Sequence, residues 1–105
     1  MKGKDMDIKQ EETRLAVVFP PGDTLDEWLE ERNMTVEEFA RLCNKSEKEI
    51  QMFIAGERRV TLPFAKVLEK ATNIPVYMWE NHQALYDSYL RRIAKEQKHE
   101  LTLAD

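Results

Sequence analysis

Apolar residues recur along this chain at three- and four-residue spacings in five blocks, with asparagine, glycine and proline between them. The first block turns Leu25, Trp28 and Leu29 inward and Asp26, Glu27 and Glu30 toward water, which predicts a helix over 24–33 launched by the stiff turn Pro20-Pro21-Gly22. The second puts Val36, Phe39, Ala40 and Cys43 on one face of a helix over 36–43. The third does the same with Ile50, Phe53 and Ile54 over 47–55. A fourth helix is expected over 62–72, with Pro63 tolerated in its first turn and Phe64, Val67, Leu68 and Ala71 inside. Asn73-Ile74-Pro75 breaks it, and the longest helix follows over 75–97 with no internal glycine or proline. Leu15-Ala16-Val17-Val18-Phe19 is too short for a helix and reads as an extended segment or single strand. Residues 1–12 show no periodicity and read as a mobile tail. The chain therefore divides into an extended or flexible arm over 1–20, a domain over 21–98 and a C-terminal tail over 99–105. Trp28, Phe39, Ile50, Phe53, Leu68 and Trp79 are expected in one core.

The second and third helices carry the sharpest local signals. Each opens with a capping box, Thr35 with Glu38 and Ser46 with Glu49, in which hydroxyl and carboxylate satisfy orphan amides reciprocally. Ala40 is small enough for a close helix crossing, and Asn44 tolerates the left-handed conformation of a tight turn. Gly56 suits the end of the third helix. Two short helices joined in this way form a helix-turn-helix, whose second helix normally enters the DNA major groove.

The last helix carries more apolar surface than one core needs. One stripe is Val76, Trp79, Tyr86, Leu90 and Ile93; a second, about 100° around, is Met78, Leu85 and Tyr89. Two uses of the second stripe stay open: contact with a partner, with a second copy of the chain first in line, or cover by the extended N-terminal segment. His82 lies near this stripe and reads as a packing or interface residue.

With 105 residues the chain makes one domain with a single core. Its one cysteine, Cys43, excludes an intrachain disulfide and reads as an inert thiol on an apolar face, as in a reducing compartment. No signal peptide and no membrane-length apolar run is evident, so a cytoplasmic protein is expected. The net charge of −4 argues against a general nucleic-acid binder. Yet the excess sits on the first helix, where Asp23, Asp26, Glu27, Glu30 and Glu31 face only Arg32; the remainder is balanced and leaves room for a local basic patch. His82 and His99 lack companions at metal-ligand spacing, and no glycine-rich phosphate loop exists among three glycines. Nothing here supports an enzyme, a metal or a cofactor.

With Ile50, Phe53 and Ile54 inward, the third helix shows Lys48, Gln51, Met52 and Ala55 outward, with Glu47 and Glu49 on its flanks. Gln51 can bind adenine with two hydrogen bonds, and Lys48 can reach guanine or a phosphate. Ser46 can donate to a phosphate, while Lys45, Arg58 and Arg59 are placed to grip the backbone. Arg41 is a secondary candidate. The DNA-binding set is thus Lys45, Ser46, Glu47, Lys48, Gln51, Met52, Arg58 and Arg59, and the partner set is Met78, His82, Leu85 and Tyr89. Glu47 and Glu49 would repel phosphate, although a glutamate can accept from cytosine.

Pro21-Gly22-Asp23-Thr24-Leu25, Leu29-Glu30-Glu31-Arg32-Asn33-Met34-Thr35, Phe39-Ala40-Arg41, Ile50, Gly56-Glu57-Arg58-Arg59-Val60-Thr61 and Ala65 follow one another in a familiar order. With Ile74-Pro75, Trp79-Glu80-Asn81 and Gln83-Ala84-Leu85-Tyr86, the stretch from Pro21 to Leu90 resembles HigA-type antitoxins of the lambda-repressor-like, XRE regulator group. The resemblance implies an all-α fold: a five-helix lambda-repressor-like domain with a helix-turn-helix and a long C-terminal helix. It also implies a homodimer that binds a double-stranded DNA operator, represses its own operon and neutralises a small toxin protein. Glu47 and Glu49 depart from the family, where basic or hydroxyl residues are commoner, as do Asn44 and Lys45 in the turn. The competing reading is a protein-interaction module that keeps the fold and has lost DNA binding. The acidic first helix favours that reading; Gln51, Lys48, Arg58 and Arg59 favour DNA.

Overall fold

A computed structural model describes the backbone of residues 17–104 and the side chains of 17–97. Five helices follow in order: α1 (Gly22–Glu31), α2 (Val36–Cys43), α3 (Glu47–Ile54), α4 (Leu62–Thr72) and α5 (Val76–Ala104). The all-α, five-helix expectation holds, and no strand occurs among the described residues. Residues 17–20 have no regular structure, while the tail expected over 1–12 and the start of the extended segment at Leu15 lie outside the described residues. No helix among the described residues is long and apolar enough to cross a membrane.

Local chemistry sets the boundaries. In α2 the Thr35 hydroxyl accepts from the Glu38 amide at 3.1 Å while the Glu38 carboxylate accepts from the Thr35 amide at 2.9 Å. Ser46 and Glu49 repeat the arrangement at α3. Helix ends use left-handed residues: Asn33, Asn44 and Asn73 at φ 52°, 57° and 68°, and Gly56 at 84°. After Asn44, the Lys45 amide returns to the Ala40 carbonyl at 2.9 Å; after Gly56, the Glu57 amide returns to Met52 at 2.9 Å. Both are double-bonded helix stops that send the chain into a tight turn. The carboxylate of Glu69, on α4, accepts from the Val76 amide at 3.1 Å and so covers one orphan donor of α5.

The core collects Leu25 and Leu29 from α1, Phe39 and Ala40 from α2, Ile50 and Phe53 from α3, Phe64, Ala65 and Leu68 from α4, and Trp79 from α5. Phe53 meets the Phe64 ring edge-on at 4.9 Å and Trp79 at 6.0 Å. Trp28 is half-buried at the core's rim, edge-on to Phe39 at 5.7 Å and covered by the Arg32 guanidinium at 4.0 Å. The Trp79 indole donates to the Ile74 carbonyl at 3.1 Å, which leaves its nitrogen satisfied in the interior.

Two expectations for the ends of the fold change. Helix α5 continues to Ala104, through residues expected to form a tail, because His99-Glu100-Leu101-Thr102-Leu103-Ala104 contains no helix breaker. Leu90, expected on the core stripe, is exposed. The other helices run only 8 to 11 residues against 29 for α5, so its distal half outreaches the body that could cover it.

Helix α1 begins directly against the end of α3. A Cβ on Gly22 would overlap the Phe53 carbonyl oxygen and crowd the Ile54 Cα, both of them backbone atoms that cannot swing aside. Gly22→Ala should therefore cost on the order of 2 kcal/mol or more, which lowers the unfolding midpoint by roughly 10 °C in a domain of this size. Thermal denaturation followed by circular dichroism measures this, and an unchanged midpoint would mean that α1 and α3 are not in this contact.

Candidate nucleic-acid interface

The inner face of α3 is closed: Ile50 and Phe53 are fully buried, and Ile54 packs against the core. Its outer face is therefore fixed in direction. Lys48 and Gln51 stand exposed on it, Met52 is half-buried, and Glu47 is exposed one turn before Gln51. The Gln51 amide points back to the Glu47 carboxylate at 3.4 Å, a long contact that leaves the amide ready to exchange partners. Lys45, in the turn, is half-buried, and Ser46 is exposed with its hydroxyl occupied by the capping box.

Both arginines after α3 are held by acids of the same chain. Arg58 donates to Glu49 at 2.5 Å, and its guanidinium covers the Phe64 ring at 4.4 Å. This makes Arg58 a brace between the start of α3 and the core face of α4. Glu49 consequently serves two partners, Arg58 and the Ser46 cap. Hydrogen bonds from the Arg58 guanidinium and the Ser46 amide hold its carboxyl well below the usual range, at about 2. A glutamate expected to oppose phosphate is locally neutralised instead.

Arg59 makes a two-pronged pair with Asp87 of α5, at 2.8 and 2.7 Å. Asp87 also accepts from the Gln83 amide at 3.0 Å, and Gln83 accepts from the Val60 amide at 2.8 Å. Hydrogen bonds from Arg59 and then Gln83 bring the Asp87 carboxyl down to about 2. Arg41, the secondary candidate, pairs with Glu37 at 3.0 Å on an open surface.

The surface around α5 divides in two. Met78 and Leu85 are 51% and 58% exposed, and Tyr89, half-buried, stacks on Tyr86 at 6.4 Å. Val17 and Phe19, in the extended segment before α1, are themselves exposed. His82 behaves differently from its neighbours. It hydrogen-bonds within the chain, to the Phe19 carbonyl at 2.9 Å and the Thr24 hydroxyl at 3.3 Å. Cys43 lines a shallow groove with Leu42, Asn44, Val67, Lys70 and Ala71, and burial pushes its thiol up, away from reactivity. Among the described residues no three His, Cys, Asp or Glu side chains gather as metal ligands would.

The sequence pattern singled out Lys45, Ser46, Glu47, Lys48, Gln51, Met52, Arg58 and Arg59 but not Gln83 and Asp87, which tie down the segment around Arg59. Their only local sign was i,i+4 spacing on one helix, and their partners lie 23 and 28 residues away.

The sequence profile of a helix-turn-helix family matches residues 25–79, more than half of the 105-residue chain. No curated protein sequence matches. Among solved structures, a candidate antidote protein of a plasmid maintenance system from Nostoc punctiforme is 25% identical, with a TM-score of 0.75 over 81% of this chain and 93% of that one. The antitoxin HigA of Pseudomonas aeruginosa, solved with the higBA promoter, is 22% identical with a TM-score of 0.71, covering 80% and 92% of the two chains. A further Pseudomonas aeruginosa protein, solved with an 18-base-pair operator DNA, is 25% identical with a TM-score of 0.67, covering 80% and 96%.

Glu49 and Asp87, the carboxyls lowered furthest, give a signed pH dependence. Glu49 falls from 4.5 to about 2 and Asp87 from 3.8 to about 2, so each stabilises the fold fully above its unfolded value. That contribution is lost as pH falls from about 4.5 toward about 2. Unfolding midpoints measured across this window should drop less steeply in Glu49→Gln than in the unaltered chain. Equal slopes would show that the Glu49–Arg58 pair adds nothing.

Proposed function

The chain belongs to the helix-turn-helix family, and from that premise we propose that it is a dimeric, sequence-specific DNA-binding repressor of antitoxin type. The observation that carries this reading is the two-sidedness of α3. Its inner face is locked by Ile50 and Phe53, and its outer face offers a lysine and a glutamine with the hydrogen-bonding reach to read base edges. Similarity to a structure solved with operator DNA supports the same use of the fold. Gln51 and Lys48 read bases, and Lys45 and Arg59 hold phosphates. Ser46 and Arg58 work mainly by fixing the start of α3, with Glu47 and Met52 at the edge of the contact.

The pairing of Glu49 with Arg58 bears on specificity. A fully charged, unpaired glutamate beside phosphate would weaken every complex; a neutralised one leaves selection to the outward residues. Repression of its own operon and neutralisation of a toxin complete the antitoxin reading. Similarity to an antidote protein of a plasmid maintenance system supports it. The rival, a protein-interaction module without DNA binding, draws support from the engagement of both Arg58 and Arg59 by internal acids.

Titration against a duplex from upstream of the chain's own gene, with a scrambled duplex as control, separates the two readings. Gln51→Ala should cost about 1–3 kcal/mol on the upstream duplex and relax preference at one base position per half-site. No binding to either duplex at low salt would favour the interaction module.

Association follows from the exposed stripe of α5. Met78, Leu85 and Tyr89 should meet their equivalents in a second copy, a symmetric arrangement that sets two α3 helices about one DNA turn, roughly 34 Å, apart. Light scattering at concentrations on the order of tens of micromolar should give a dimer, and the double substitution Leu85→Asp with Tyr89→Asp a monomer. A dimer unchanged by both substitutions would move the interface elsewhere.

A further inference from the structure

We propose that Asp87, anchored by Gln83, is a positioning residue that aims Arg59 at the DNA backbone, so that this acid strengthens binding to a polyanion. The inference rests on the DNA-binding reading above and adds to it two residues of α5.

Arg59 lies in the irregular segment between α3 and α4, where its own backbone imposes little order. Helix α5 supplies that order twice. Gln83, only 7% exposed, accepts from the Val60 amide at 2.8 Å and fixes the main chain next to Arg59. Its side-chain amide donates to Asp87 at 3.0 Å, which sets the plane of the carboxylate that receives Arg59. The fork then locks the guanidinium at 2.8 and 2.7 Å. Two of the five guanidinium N–H groups are used, and three remain for a phosphate.

Exposure decides between positioning and competition. The Arg59 side chain is 66% exposed and that of Asp87 only 22%, so the cation stands outside and the anion behind it. A ligand approaching from solvent meets the positive end of the pair. An arginine already ordered in this way loses less rotamer freedom on contact than a free one. An acid that competed with DNA for Arg59 would instead need to sit at the surface beside it.

The test is the sign of one substitution. Asp87→Asn removes a negative charge from a chain of net charge −4, so charge alone would tighten DNA binding. Positioning predicts the opposite: binding of the intact chain to both the upstream and the scrambled duplex weakens about tenfold, the scale of one charge-assisted contact. The salt dependence should also fall by about one counterion per subunit. Arg59→Lys keeps the charge, loses the fork and should show about the same loss. In an Arg59→Ala background, Asp87→Asn should no longer weaken binding and should leave it equal or slightly tighter, as charge alone requires. A purely structural role would lower the unfolding midpoint and leave the salt slope unmoved, so both are measured at a temperature where each variant keeps its native circular dichroism. Should Asp87→Asn fail to fold, Asp87→Glu takes its place: it keeps the charge but shifts the carboxylate by one methylene away from the fork, and positioning predicts weaker binding to both duplexes. Unchanged or tighter binding by the folded single variants overturns the inference while the DNA-binding reading stands. Absence of binding by the unaltered chain to either duplex overturns both.

Discussion

Burial of Phe53 is the contact on which the other elements depend. Its ring meets Phe64 of α4 at 4.9 Å and Trp79 of α5 at 6.0 Å, so one side chain of α3 touches two other helices. Its carbonyl occupies the space that a Cβ on Gly22 would need, which brings α1 against the same point. The same carbonyl accepts from the Gly56 amide at 3.1 Å and helps to end α3. Because Phe53 and Ile50 leave α3 no freedom to roll, the direction of Lys48 and Gln51 is a consequence of core packing. Loss of the Phe53 ring would open a cavity among three aromatic positions, a change that typically costs about 3–5 kcal/mol.

Polar contacts refine what packing fixes. An exposed ion pair contributes little to stability by itself, typically about 0–1 kcal/mol. Arg58 with Glu49 and Arg59 with Asp87 matter more for direction than for energy. Each joins residues from different elements, and each is shared with a second hydrogen bond, from Ser46 in one case and Gln83 in the other. The segment between α3 and α4 thus gains a defined shape without a helix or strand of its own.

Features governed by neighbours in sequence were legible before the structure. Thr35 with Glu38, Ser46 with Glu49, Asn44 and Gly56 act within a few residues, and each stands where local chemistry requires it. Core faces were legible for the same reason, since helical spacing dictates which residues share a side. The site was legible only in part. Lys48 and Gln51 follow from the choice of inner face, but the partners of Arg58 and Arg59 depend on how helices pack. Nothing in the spacing of Glu49, Gln83 and Asp87 reveals that they come to the same segment. His82 shows the same limit: placed near an apolar stripe by its position, it turns to Phe19 and Thr24, 63 and 58 residues away. Leu90 shows another, because periodicity reports a face but not where the body of the fold stops.

Helix α5 links these observations. Gln83 and Asp87 lie one turn apart and face the segment after α3, while Met78 and Leu85 stand exposed. One helix therefore presents a polar side that orders Arg59 and an apolar side open to a partner. Helices are stiff over this length, so the geometric relation between the two sides is set by the helix itself. A second copy seated on Leu85 and Met78 would hold its own α3 at a distance determined by Phe53, Trp79 and the pitch of α5, with no flexible segment in between. Spacing between DNA half-sites would then be a property of the same aromatic core that orients each reading face.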